Sequence, residues 1–319
     1  MKALARRFAA LPLLLVPILV ALSCSSGSPT STSVPDPNAL LSNAAGPERY
    51  PLDIGNRWTY QHEMIVFDRI DGTWEPGLRF HSTEVDEVVG TEEVFGRTYM
   101  LTRETTTDDY QTIIWWVRSR QDRTGLYEAD VALNHPPHNA RGSAAYLAQS
   151  GFAERPLSNS RNSISRYPKA LRSAALREAY LGMEKKRGIV EAALRGSPRG
   201  SMAQAPAIGV EDSELVRLTY PLHTGSAWNV REEPFRLHCQ VEGREILKLK
   251  TGNTPAWRVR GTMSLLSDTD VLLFWYGKDG FLRYYFRITA NATDPEGNIA
   301  GQFMSEETQT LTEFTAARR

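Results

Sequence analysis

The residues best suited to chemistry are three carboxylate motifs and one histidine–cysteine pair. Asp268-Thr269-Asp270 could present two carboxylates on one side of a loop, but the other ligands of a calcium-binding loop are missing around it. Asp108-Asp109 and Glu306-Glu307 are adjacent, and neighbours in a strand face opposite ways, so we expect neither pair to share a proton. The same alternation separates His238 from Cys239 and argues against a joint metal site.

Sequence motifs of familiar enzyme classes are absent. The chain has no GxSxG elbow, Walker loop, HExxH or paired CxxC. The other histidines, which are His62, His81, His135, His138 and His223, form no metal-ligand set. We therefore predict no catalytic residue, no metal site and no cofactor, and we expect a protein that is not an enzyme. The alternative is an exported hydrolase whose dispersed carboxylates meet only in the fold.

The N-terminus has the layout of an export signal. Basic residues at positions 2, 6 and 7 precede an apolar run over 8–22, which is short for a membrane span. The run ends in Ala21-Leu22-Ser23-Cys24. A small residue before a cysteine resembles the lipobox of bacterial lipoproteins, although alanine and leucine stand in reverse order. The resemblance implies removal of residues 1–23 and a diacylglycerol on Cys24; an ordinary secretory signal beside an incidental Cys24 is the alternative.

The segment after Cys24 indicates a tether. Residues 25–47 are rich in serine, proline, threonine and asparagine, and Asp36 is their only charged residue. Such a composition buries too little apolar surface to offset chain entropy, so 24–48 should be flexible. We expect a bacterial envelope protein that is held at a membrane by its lipid and faces the periplasm. Ser25 after the cysteine favours the outer membrane.

Composition narrows the partners. The formal net charge is zero, which gives no bias toward nucleic acid, and the chain has only two cysteines. If Cys24 carries lipid, Cys239 has no partner for a disulfide. About 270 residues remain after the signal and tether, enough for a substantial core.

A motif occurs twice at the same internal spacing. Residues 50–60 read YPLDIGNRWTY and residues 220–230 read YPLHTGSAWNV. Proline fixes the chain before a turn, glycine suits a positive φ within it, and Trp58 and Trp228 then open stretches that resemble strands. We predict a turn followed by a buried tryptophan at the start of a strand, in two copies.

Two further landmarks follow in the same order in both halves. Residues 88–94 correspond to 241–247, and an aromatic stretch containing Trp116 corresponds to one containing Trp275. Three landmarks in order favour a tandem duplication, with copies over 49–130 and 213–316. Trp58, Trp116, Trp228 and Trp275 are the predicted apolar anchors.

The fold class follows from the strands between these landmarks. Residues 283–289 and 302–314 alternate, and Asp71-Gly72, Asp279-Gly280 and Glu296-Gly297 are typical of hairpin turns. We predict a mainly β protein with antiparallel meander sheets, arranged as a curved open barrel or a sandwich. The opening motif resembles that of β-rich bacterial lipoproteins with a PLxxGxxWxY pattern, a resemblance that implies architecture but no activity.

The segment between the copies differs in kind. Residues 131–210 contain twelve basic and four acidic residues, and 169–194 is rich in helix formers. We predict a basic insertion over 131–212 with one or two helices on the sheet, split at Gly182 and Gly188, and an apolar stripe through Leu171, Ala174, Ala175 and Leu181. An attraction of this insertion to anionic headgroups is the alternative role.

The function expected from these observations is binding. A lipid-anchored β protein without a catalytic set would bind an apolar small molecule or an envelope protein. A pocket of Trp, Phe and Leu would favour a carrier, whereas convergent Asp, Glu or His residues would favour the hydrolase.

Overall fold

The structure is a computed structural model, and it describes residues 49–70, 72–94, 96–129, 172–195, 214–232 and 235–318. The predicted signal peptide, Cys24 and the tether lie outside the described residues, as do residues 131–171 and 196–212 of the insertion. Among the described residues, no helix is both long and apolar enough to cross a membrane.

The described chain forms twelve strands and one helix. The first group of strands precedes the helix α1 (Ala174–Arg195) and the second group follows it. The first group comprises β1 (Arg57–Arg69), β2 (Glu75–Val94), β3 (Arg97–Thr107), β4 (Thr112–Gln121) and β5 (Gly125–Ala129). The second comprises β6 (Glu214–Thr219), β7 (Ala227–Arg231), β8 (Leu237–Leu249), β9 (Gly252–Met263), β10 (Val271–Gly277), β11 (Gly280–Thr293) and β12 (Ile299–Thr315).

All twelve strands belong to one antiparallel sheet. Their order is β6-β5-β4-β3-β2-β1-β12-β11-β10-β9-β8-β7, so the first and last strands of the chain, β1 and β12, pair in the middle. The edge strands β6 and β7 are consecutive in the chain and contact each other. The sheet therefore curls until it is nearly closed, which confirms the predicted mainly β meander.

The strands alternate between an inner and an outer face. On β12, Phe303, Ser305 and Glu307 are at most 6% exposed, whereas Met304 and Glu306 between them are half-buried. In three hairpin turns, Gly72, Gly280 and Gly297 adopt positive φ angles of 91°, 91° and 88°, which glycine tolerates because it has no Cβ. The inner face thus carries polar as well as apolar side chains.

The two motif turns have the same geometry. Gly55 N–H donates to the Val88 carbonyl at 2.7 Å, and Gly225 N–H donates to the Val241 carbonyl at 2.9 Å. In return, each valine N–H donates to the carbonyl of the residue after the glycine, at 3.0 and 2.8 Å. The φ angles of the glycines are 94° and 88°. This equivalence supports the duplication that the motif predicts.

The tryptophans occupy matching register positions. Trp58 pairs with Asp86, two residues before the first turn-bonding valine, and Trp228 pairs with Cys239, two residues before the second. Both indoles are buried, at 2% and 7% exposed. They differ in neighbours, because β1 is flanked by two strands while β7 lies at the edge of the sheet.

The aromatic stretches that contain Trp116 and Trp275 do not align in the structure as they do in the sequence. The ladders connect Gly90 through Leu101 to Arg118, and they connect Gly243 through Arg258 to Trp275. Trp275 therefore corresponds to Arg118, two residues beyond Trp116, and the predicted equivalence of the two tryptophans is wrong.

The corresponding positions keep a shared interaction. Arg118 Nε donates to Glu92 at 2.8 Å, and Trp275 Nε1 donates to Glu245 at 2.5 Å. A guanidinium on β4 and an indole on β10 thus each donate a hydrogen bond to a carboxylate two strands away in the sheet, on β2 and on β8 respectively. An alignment of aromatic residues could not detect this equivalence, because the two positions share a hydrogen-bond donor and not an aromatic ring.

The helix α1 packs on the inner faces of β11 and β12. Ser173 caps its start, since its Oγ accepts a hydrogen bond from Leu176 N–H at 3.2 Å. Tyr180 meets Phe303 edge-on, with ring centroids 5.6 Å apart. Leu176 also lies over Gly301, where a Cβ would come within 2.7 Å of it. A glycine on β12 therefore makes room for the first turn of the helix.

Two details of the predicted helix are wrong. It runs unbroken through Gly182 and Gly188. Its buried stripe consists of Leu176, Tyr180, Met183 and Val190, whereas Ala174 is exposed and Ala175 and Leu181 are half-buried. The packing of the helix on the sheet outweighs the low helix propensity of glycine. The large apolar side chains, and not the alanines, form the face of the helix that is buried. Leu171 lies outside the described residues.

Candidate functional site

A cavity of about 240 Å³ lies against the inner face of the sheet. Side chains from both halves of the chain line it, and the last turns of α1 contribute Glu191 and Leu194. Inner-face alternation places Thr102, Glu104 and Val117 toward it from adjacent strands. The curled sheet therefore holds an interior space large enough for a small molecule.

Aromatic rings form one part of the lining. They are Tyr50, Trp58, Tyr60, Phe274, Tyr276, Phe281 and Tyr284. Two groups of rings are in contact: Tyr50 and Trp58 have centroids 5.7 Å apart, while Phe281 lies 5.7 Å from Tyr60 and 5.6 Å from Tyr276. Such spacing is favourable for tilted rings, so each group gives the lining an aromatic surface.

Hydrogen bonds fix these rings in place. Trp58 Nε1 donates to the Asp279 carbonyl at 2.6 Å, and Tyr60 Oη donates to the Phe281 carbonyl at 3.3 Å. The Tyr50 ring lies over Gly280, where a Cβ would come within 2.9 Å of the ring. The turn between β10 and β11 and the first residues of β11 thus supply the carbonyls and the space for these rings.

Carboxyl groups form the other part of the lining. They belong to Asp86, Glu104, Glu128, Glu191 and Glu307. Asp86 and Glu104 are direct cross-strand partners on β2 and β3, so two like charges face the same space from adjacent strands. The sequence positions of these acids are far apart, and the sheet brings them together.

These carboxylates act on the neighbouring phenols. Burial, followed by the charge of Asp86, raises the pKa of Tyr50 well above its usual value. Burial, then Tyr50, Asp86 and Glu84 raise the pKa of Tyr60 in the same direction. Both hydroxyls therefore stay protonated at physiological pH, and Tyr60 donates its proton to the Phe281 carbonyl.

Among the described residues, one cation lines the cavity directly. Arg217 on β6 donates from Nε to Glu128 at 2.6 Å. Burial opposes its charge, but attraction by Glu128 and the hydrogen bond to it outweigh burial and raise the pKa of Arg217. Its charge is thus directed to one of the five lining carboxylates.

A second cation sits at the boundary between helix and sheet. Arg187 donates to Glu184 at 3.1 Å and also to Glu191, and its Nη1 lies 4.0 Å from Glu307 Oε2. Glu307 is in turn 2.9 Å from His62 Nε2. This chain of polar contacts connects α1 through β12 to β1 at the edge of the cavity.

The predicted tryptophan anchors have different surroundings. Trp58 lines the cavity, whereas Trp116, Trp228 and Trp275 are outside its lining. Trp228 and Trp275 belong to the buried core, and Trp116 is half-buried on the outer face of β4. Cys24, the predicted site of lipid attachment, lies outside the described residues.

The carboxylate motifs singled out in the sequence are structural or separated. Asp270 is 8% exposed and accepts hydrogen bonds from Ser267 N–H at 2.7 Å and Thr289 N–H at 2.9 Å. Lys186 of α1 also bonds to it. Asp270 therefore fastens the helix and the loop before β10, while Asp268 is exposed.

The expectation that Asp108-Asp109 lies in a strand is wrong. β3 ends at Thr107, and Asp108 Oδ1 accepts hydrogen bonds from Tyr110 and Gln111 N–H at 2.8 and 2.9 Å in the turn that follows.

Two adjacent pairs do face opposite ways. Glu307 lines the cavity, whereas Glu306 accepts a hydrogen bond from Tyr285 Oη at 2.9 Å on the outer face. Cys239 is buried at 4% exposed, and burial raises the pKa of its thiol to about 12. His238 beside it is half-buried and bonds to Asn229 at 2.8 Å. In the described part of the chain, no three His, Cys, Asp or Glu side chains are grouped to hold a metal ion.

Sequence reasoning missed the acids of β2 and β3. Along β2 the apolar Val85 points outward, while Glu84 and Asp86 point inward. The usual assignment of apolar residues to the interior would reverse these faces. The strand register provides the missing signal, because Tyr60, which is fully buried, pairs directly with Glu84.

Comparisons with known proteins add little to this description. No family model matches the chain, and no curated protein matches it. Among solved structures, one similar chain is a predicted exported protein with a YmcC-like fold from Bacteroides fragilis NCTC 9343, at 10% identity and a TM-score of 0.30, covering 85% of this chain and 99% of that one. Another is a predicted lipoprotein from Parabacteroides distasonis ATCC 8503, at 9% identity and a TM-score of 0.30, covering 83% and 97%. At that TM-score neither likeness carries an argument about fold or function.

Proposed function

We propose that this protein is a lipid-anchored binding protein of the bacterial envelope, which holds a small molecule inside its curved sheet and has no catalytic activity. The observation that carries the proposal is the cavity of about 240 Å³ between the sheet and α1. Its occupant is a small ligand with an apolar part, since aromatic rings make up much of the lining.

Filling the cavity tests this role. Thr102 on β3 lines the cavity and is 8% exposed, whereas Thr105 on the same strand faces outward and is half-buried. We expect 2-phenylethanol to bind the full chain in ligand-observed NMR, Thr102→Phe to abolish the signal, and Thr105→Phe to retain it. Equal binding by both variants would place the probe elsewhere and refute the proposal.

The sequence supports the proposed location in the cell envelope. The basic and apolar N-terminus, Cys24 and the uncharged serine-rich segment after it are typical of an anchored export product. We propose attachment through Cys24, with the outer membrane as the destination. Cys24→Ser should move the protein from the membrane fraction to the soluble periplasmic fraction. Unchanged retention in the membrane fraction would contradict attachment through that sulfur.

An exported hydrolase is the second candidate, and one observation favours it. Asp86 and Glu104 face each other across β2 and β3, with Glu128 and Glu307 in the same lining. Paired carboxylates serve as acid and nucleophile or base in glycoside hydrolysis. The test is turnover of a panel of chromogenic glycosides and esters by the wild type, by Asp86→Asn and by Glu87→Gln, which alters the neighbouring outward-facing acid. Turnover that Asp86→Asn alone abolishes would replace the binding role with the enzymatic one.

A further inference from the structure

Two hydroxyl groups in the cavity lining have no hydrogen-bond partner among the described residues. They belong to Thr102 on β3 and Ser119 on β4, which are 8% and 9% exposed. A hydroxyl that is buried without a partner loses its hydrogen bonds to water and gains none in return, which costs free energy. Most buried polar side chains in proteins are hydrogen-bonded for this reason. Contact with a bound molecule would remove the cost at both side chains.

The strand register places these two hydroxyls close together. Thr102 pairs with Val117, and Ser119 is two residues farther along β4 on the same inner face. Diagonal neighbours of this kind lie about 7–8 Å apart, and their side chains approach more closely than that. The polar end of one small molecule can therefore contact both oxygens.

The second copy of the duplicated unit has a valine in place of Thr102. The strand ladders match Leu101 with Arg258, so the residues that follow them, Thr102 and Val259, correspond. Val259 is also buried, at 1% exposed. The sheet thus forms with an apolar side chain of similar size at this position, and its fold does not require the hydroxyl of Thr102.

The chemistry of the two hydroxyls defines the polar end of a ligand. Each serine or threonine hydroxyl donates one hydrogen bond and can accept others. A hydroxyl or amide group on a ligand matches this pattern, because it also donates and accepts. A hydrocarbon group does neither, and it would leave both side chains unsatisfied.

Aromatic rings from the second half of the chain form a different side of the cavity. In the sheet, β2, β1 and β12 separate β3 and β4 from β11 and β10. Phe274 on β10 and Phe281 on β11 both line the cavity. Because the sheet is nearly closed, the lining presents hydrogen-bonding groups on one side and hydrocarbon on another.

We infer that Thr102 and Ser119 recognise the ligand of this cavity: a small molecule whose hydroxyl or amide group bonds to both side chains and whose apolar body lies among the rings of β10 and β11. This inference rests on the proposed binding function. It adds a polar group and two specificity-determining residues to the apolar ligand expected from the sequence.

Two probes of the same size test the inference. 2-Phenylethanol and n-propylbenzene differ only by a methyl group in place of the hydroxyl. Both are titrated by ligand-observed NMR into the full chain carrying Cys24→Ser, so that no acyl chain competes, and into the same chain with Thr102→Val and Ser119→Ala. We expect the two changes together to weaken binding of the alcohol about tenfold, the effect of two hydrogen bonds of modest net strength. Binding of n-propylbenzene should stay unchanged or become tighter.

A threonine on the outer face provides the matched control. Thr105 is on the same strand as Thr102 but faces outward and is half-buried, so Thr105→Val should leave the binding of both probes unchanged. Circular dichroism confirms folding of each variant. Ser119→Ala alone gives the same comparison, with a smaller effect of about threefold, should the double variant not fold.

The outcomes separate this inference from the proposed function. An unchanged preference between the probes in the double variant, or an equal loss for both, would overturn hydroxyl recognition while leaving a cavity that binds small molecules. A change in preference that Thr105→Val reproduces would overturn it as well. Failure of both probes to bind the folded chain that retains Thr102 and Ser119 would remove the binding function, and the inference with it.

Discussion

Replacing Arg187 with methionine removes a cation of α1 that lies close to Glu307 on the inner face of β12. Its guanidinium is bonded to Glu184 and Glu191 and lies 4.0 Å from Glu307. Burial opposes the charge, but attraction by Glu191, Glu184 and Glu307 outweighs it and raises the pKa of Arg187. Without this cation, three carboxylates would remain close together and largely buried.

The magnitude follows from burial. Removing one partner of a buried ion pair costs about 3–5 kcal/mol. The side chains here keep between 8% and 21% of their exposure, so solvent screens part of the loss. We expect a decrease of about 3 kcal/mol in the free energy of unfolding. For a body of this size that corresponds to a fall in Tm of roughly 6–12 °C.

The assay is urea unfolding, followed by circular dichroism and tryptophan fluorescence. Arg177→Met is the matched control, since Arg177 is exposed on the same helix, and it should change stability by less than about 0.5 kcal/mol. A loss no larger than that of the control would refute the reasoning.

Three other predictions concern the two motif turns, the loss of stability at acidic pH and the buried thiol of Cys239. Gly55→Ala and Gly225→Ala should each cost about 1–2 kcal/mol in urea unfolding, because both φ angles are positive; a large loss at only one would argue against equivalent turns. Burial opposes ionisation of Glu214, but hydrogen bonds from arginine and tyrosine partners lower its pKa to about 2, so its contribution is present above pH 4 and lost toward pH 2. The Tm values of the wild type and Glu214→Gln should therefore converge over that interval, and a constant difference would contradict the pairing. Because burial raises the pKa of Cys239 to about 12, a thiol reagent at pH 8 should modify it only in urea; rapid labelling of the folded protein would contradict its burial.

Local sequence signals were sufficient for the strands and turns. Glycine after an acid predicted hairpins at Gly280 and Gly297, where the φ angles are positive. The proline–glycine–tryptophan motif predicted a turn before a buried indole, and Trp58 is 2% exposed. These features depend on backbone sterics and short-range alternation, which a sequence expresses directly.

The cavity could not be predicted in the same way. Its acids come from strands whose pairing depends on closure of the whole sheet, with β1 beside β12. On β2 and β3 the apolar Val85 and Leu101 face outward, so the interior face is the more polar one. A pattern of apolar and polar residues is normally interpreted with the apolar residues inside, and this rule would assign the two faces of these strands in reverse. The buried stripe of α1 depends likewise on what the sheet presents to it.

The position of a bound probe tests the central claim most directly. Val117 and Leu126 line the cavity, whereas Val89 and Ile299 are exposed on the described surface, at 37% and 59%. Methyl NMR of the isotopically labelled chain during titration with 2-phenylethanol reports all four sites at once. We predict shifts and probe contacts at Val117 and Leu126, with Val89 and Ile299 unchanged. Shifts confined to the exposed methyl groups would contradict a binding site inside the sheet.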